Sequence, residues 1–64
     1  MTALELFEIA QEHRRNKCFG DAINMYRAAA EAKDATDQLK SQCVASIELI
    51  QEINSFVNVD LLNP

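Results

Sequence analysis

Residues 3–36 read ALELFEIAQEHRRNKCFGDAINMYRAAAEAKDAT, and the spacing of the apolar side chains within this stretch decides the fold. Leu6, Ile9 and Ala10, with His13 after them, recur at intervals of three and four residues, which lays one inward stripe along a helix. Leu4 and Phe7 fall beside that stripe on a second face. Thr2 precedes the stretch with Glu5 three residues on, a spacing in which each side chain satisfies the other's free backbone amide and starts a helix. The polar run Gln11 to Lys17 ends it.

The periodicity breaks around Asn16 to Gly20, and Gly20 is the residue there that enters positive φ without steric cost, so a tight turn is expected at that point. Asp21 then places negative charge at the start of a second helix, in which Ala22, Ile23, Tyr26, Ala29 and Ala30 again keep helical spacing. Asp34, Thr36 and Asp37 offer N-caps for a third. Leu39, Cys43, Ile47, Ile50 and Val57 line one face of that third helix, and Val44, Leu49, Ile53 and Phe56 broaden it. No segment alternates with period two, so strands have no support. The expectation is an all-α single domain, a helical hairpin over residues 3–36, a third helix over 37–57 and a short tail over 58–64.

Outward from this pattern, composition narrows the function classes. A chain of 64 residues has room for one modest core, since a domain this small buries only about 60% of its unfolded surface. Apolar residues make up 48%, with a single Gly and a single Pro, which favours a folded chain over a disordered one. Ten acids against six bases leave a net charge of −4, which opposes attraction to nucleic acid or an anionic membrane surface. His13, Arg14, Arg15 and Lys17 collect near the end of the first helix, where cations complement the dipole. No run approaches the ~20 apolar residues of a membrane span and the N-terminus has no secretory pattern, so a cytoplasmic protein is expected. Cys18 and Cys43 are too few for a disulfide scaffold.

Residues 3–36 resemble one tetratricopeptide repeat, a helical hairpin of about 34 residues whose stacking builds protein-binding scaffolds. Leu6 stands where the family has a large apolar residue, Ile9 and Ala10 match its large-then-small pair, and His13 falls where Tyr is usual. Phe19 matches the aromatic of the turn, Ala22 the small residue opening the second helix, Tyr26 its aromatic and Ala29 the small residue a turn later. Asp34 replaces the proline that usually ends the unit, and Lys17 with Cys18 replaces a common Gly-Asp step. The third helix looks like the capping helix of such arrays. In outline the chain is also similar to short bacterial single-repeat proteins with a tail like Phe56-Val57-Asn58-Val59-Asp60-Leu61. The alternative family is the microtubule-interacting and trafficking domain, a three-helix bundle that binds partner helices in a groove. The short second helix here fits it less well.

The repeat resemblance implies no catalysis and no cofactor but a protein or peptide partner, met through the inner face of the first helix at Leu4, Phe7, Gln11 and Arg14. Phe7 and Gln11 stand where carboxylate-clamping members place Lys and Asn, so an apolar contact is expected, unless Phe7 is spent on packing. The broad face of the third helix, through Ile47, Ile50, Ile53, Phe56 and Val57, is expected to pair with a second copy as a homodimer. Read linearly, His13 has no Cys or carboxylate at zinc-ligand spacing, so no metal is expected. A thiol enzyme using Cys18 with His13 is the rival of another class. Glu5, Glu8, Glu12, Glu31, Glu48 and Glu52 read as solvated surface.

Overall fold

Helix α1, Ala3–Arg15, opens on the predicted capping box. Thr2 Oγ1 accepts from the Glu5 amide at 3.1 Å, and Glu5 Oε1 accepts from the Thr2 amide at 2.8 Å. The next free amide, that of Ala3, reaches across the chain and donates to the Asp34 carboxylate at 3.0 and 3.2 Å. The start of α1 is thereby tied to the loop that follows the second helix. His13, Arg14 and Arg15 occupy the last turn, complementing the helix dipole.

The computed structural model describes residues 1–53, and over these the protein is all-α. Helix α2 spans Phe19–Glu31 and helix α3 spans Asp37–Ile53. The third helix was expected to run on to Val57 with a tail over 58–64; residues 54–64 lie outside the described residues.

The turn between α1 and α2 differs from expectation. Lys17, not Gly20, takes positive φ, at 63°, and Gly20 sits inside the first turn of α2 with no positive φ. The reason is the way α1 ends. The Lys17 amide donates to the Arg14 carbonyl at 3.0 Å and the Cys18 amide to the His13 carbonyl at 2.8 Å. This is a Schellman closure, which needs a left-handed residue just past the C-cap Asn16. That place falls on Lys17. Helix α2 can then start at Phe19, ahead of the expected Asp21, with Cys18 as an N-cap that makes no side-chain capping bond.

Small residues let α1 and α2 approach closely. Ala10, Ala22 and Ala29 are all fully buried, and Tyr26 fills the space they leave with no exposure of its own. The Phe7 ring meets Tyr26 edge-on, centroids 5.6 Å apart and planes at 63°. Helix α3 adds Cys43 and Ile50 to the same core, with Leu39 and Ile47 packed at its margin. Burying a side chain such as Ile50 contributes about 2 kcal/mol, so α3 is held chiefly by these few residues. Of the cap candidates for α3, Thr36 is the one used, its Oγ1 accepting from the Leu39 amide at 3.0 Å. Helix α3 lies against α2 and scarcely meets α1, so the helices form a layer with α2 in the middle.

Candidate functional site

Three groups of side chains are candidates for function, and each depends on this layered arrangement. The first is the α1 stripe of Leu4, Phe7, Gln11 and Arg14, which the three-and-four spacing puts on one side of the helix. Leu4 is 58% exposed. Phe7, Gln11 and Arg14 are half-buried. Phe7 is partly spent on packing, since its ring meets Tyr26 edge-on, and it is only half-buried.

The second group is the broad face of α3. Ile50 is buried and Ile47 half-buried against the core, so of the expected self-association face the first is taken up by the fold and the second in part. A core built largely of alanines is thin, and these two isoleucines join the cluster that also holds Tyr26 and Ala29. The Ile53 side chain, Phe56 and Val57 lie outside the described residues. Among the described residues, the large apolar side chains that α3 leaves in solvent are Val44, 52% exposed, and Leu49, 40% exposed. Val44 sits in an open depression lined also by Lys40, Ser41, Ala45 and Glu48.

The third group is polar and gathers at the turn between α1 and α2. His13, half-buried in the last turn of α1, Cys18, exposed at the N-cap of α2, and Asp21, exposed in its first turn, each present a ligand atom, and these atoms all lie within 4.8 Å of one another. Residue spacing paired Cys18 with His13 as a rival reading but did not join Asp21 to them. The Schellman closure folds Cys18 back over His13, and the helix that starts directly afterwards carries Asp21 to the same side. Cys18 Sγ lies 3.8 Å from the Asn16 carbonyl oxygen, a weak thiol hydrogen bond. The other thiol, Cys43, is fully buried, and burial pushes its pKa up, so it stays protonated and inert. Both cysteines are free.

The acids read as surface are indeed exposed, all six of them from Glu5 to Glu52. Among the described residues no helix is long and apolar enough to cross a membrane. No family model, curated protein or solved structure matches the chain.

Proposed function

We propose that this chain is a protein-interaction module of tetratricopeptide-like build whose first partner is a second copy of itself. The observation that carries the reading is Val44, held half in solvent on α3 between Lys40 and Glu48. Lys40, Val44 and Glu48 are spaced one turn apart along one side of the helix. When two α3 helices cross antiparallel about a two-fold axis at Val44, each Lys40 faces the partner's Glu48 and the two valines meet at the centre. Ser41 and Ala45, both small, allow the backbones to approach. Paired in this way the contact is self-complementary in charge, as an isologous interface requires. A core of few residues supports the same reading, because small helical units commonly gain burial by association.

The test is sedimentation equilibrium of the reduced chain over a wide concentration range. A dimer is expected, dissociated by Val44→Glu and by Lys40→Glu, and restored when Lys40→Glu is combined with Glu48→Lys. A monomer at every concentration overturns this reading.

Leu4 supports a second reading, in which a partner helix or peptide lies along Leu4, Phe7, Gln11 and Arg14, because so exposed a leucine beside a half-buried aromatic ring is an apolar anchor. The closed bundle of a microtubule-interacting and trafficking domain fits less well, as α1 and α3 scarcely meet.

A further inference from the structure

The geometry points to a transition-metal site at the turn between α1 and α2, in which His13, Cys18 and Asp21 hold one divalent ion of the zinc class and solvent or a partner side chain takes the fourth position. This inference does not depend on the self-association reading, which concerns α3. It rests on three different donors converging: an imidazole nitrogen, a thiol sulfur and a carboxylate oxygen, all within 4.8 Å of one another. Zinc bonds of about 2.0 to 2.3 Å in a tetrahedron put neighbouring donors roughly 3 to 4 Å apart. Rotation of the exposed Cys18 and Asp21 side chains closes the remaining distance without moving the backbone.

The donor set also selects the kind of ion. A mixed nitrogen, sulfur and oxygen set suits zinc and its spectroscopic substitute cobalt(II), whereas magnesium and calcium take oxygen alone. On binding, the Cys18 thiol loses its proton to solvent. The thiolate and the Asp21 carboxylate then balance a dication, and the neutral imidazole completes the set. Arg14, Arg15 and Lys17 flank the turn and oppose a cation. Their repulsion acts through solvent and is screened by salt, while the two anionic donors touch the ion directly.

The backbone makes the site preorganised. His13 and Cys18 are joined by the 2.8 Å hydrogen bond from the Cys18 amide to the His13 carbonyl, and Asp21 follows within the first turn of α2. No long loop must close on binding. The first helix, the turn and the second helix each supply one donor, so an ion there clamps the hairpin.

Cobalt(II) titration of the full reduced chain, kept free of thiol reductants, tests this. A near-ultraviolet thiolate-to-cobalt charge-transfer band and visible bands of tetrahedral intensity are expected. They should saturate at one ion per chain and disappear when zinc is added. Cys18→Ser removes the charge-transfer band. His13→Gln and Asp21→Asn each weaken binding at least about tenfold, the lower bound seen even for residues that only orient ligands. Far-ultraviolet circular dichroism on each variant separates lost ligation from lost helix, and Cys18→Ala repeats the thiol deletion with an apolar side chain. The site is overturned if no band forms with cobalt in excess, or if a band survives Cys18→Ser, where Cys43 is the remaining thiol. Unchanged affinity in either of the other two variants, or one ion per two chains, overturns it equally.

Discussion

The Asp34 carboxylate caps the amide of Ala3, 31 residues away in sequence, with oxygens at 3.0 and 3.2 Å. A loop residue after α2 thus satisfies a backbone donor at the start of α1, and the two ends of the hairpin are held together. Ala3 is almost completely buried at this junction. Removing the carboxylate by Asp34→Ala leaves that amide without its acceptor and should cost about 1 kcal/mol. In a domain of this size the melting temperature should fall by roughly 4 to 8 °C, read by circular dichroism.

The one glycine of the chain stands three residues beyond the position where the turn needs it. Lys17 carries the positive φ, while Gly20 lies in a helical turn where an added Cβ meets nothing within 4 Å. Lys17→Gly should stabilise by about 1 kcal/mol, the order of the left-handed penalty for a side chain. Gly20→Ala should add about 0.5 kcal/mol by lowering the freedom of the unfolded chain. Urea unfolding of the two single variants and the double variant checks both values and their additivity.

Tyr26 is fully buried, and its hydroxyl has no hydrogen-bond partner among the described residues. Tyr26→Phe keeps the edge contact with Phe7 and removes an unsatisfied polar atom, so stability should hold or rise by up to about 1 kcal/mol. Tyr26→Ala opens a cavity among the alanines and should cost about 3 to 5 kcal/mol, enough to abolish the cooperative melt.

Glu5 titrates below its ordinary value of 4.5 because its carboxylate accepts first from the Thr2 amide and second from the Thr2 hydroxyl. A folded value below the unfolded one means that the charged form stabilises the fold. The contribution is present above the unfolded value and is lost as pH falls through the folded one. Glu5→Gln should therefore flatten the loss of stability below about pH 4.5, as measured by urea midpoints across an acid series. A parallel pH profile in wild type and variant sinks this attribution.

The two thiols should separate in a labelling experiment. Cys18 is exposed and Cys43 buried with its pKa raised, so a disulfide reagent should modify one thiol of the native protein promptly. The second should react only at the rate at which the chain opens. Equal rates for both would show that the packing of α3 on α2 does not shield Cys43.

Much of this architecture was legible in residue spacing, and what was not has an identifiable physical cause. Leu6, Ala10, Ala22, Tyr26 and Ala29 repeat at helical intervals, so the hairpin and its alanine-lined contact follow from periodicity alone. Thr2 with Glu5 announced the first helix because a capping box is local. The turn was misplaced because glycine is merely the cheapest left-handed residue. Helix ends are chosen by carbonyl closure as well, and here that closure forces Lys17 into the conformation. The grouping of His13, Cys18 and Asp21 was hidden for the same reason, as it exists only once the chain reverses at Lys17. Ile47 and Ile50 were read into a self-association face because a broad apolar face does not say which part of it the chain keeps for itself.

The layered order of the helices divides the molecule unequally. Only α2 packs extensively on both of the other helices, so opening of α3 would leave the hairpin paired, whereas disruption of α2 would leave the flanks little to rest on. Amide exchange should accordingly resolve at least two tiers, with the α3 amides released by a partial opening and those around Tyr26 only by global unfolding. A chain of this build is less a bundle than a hinge with one pin.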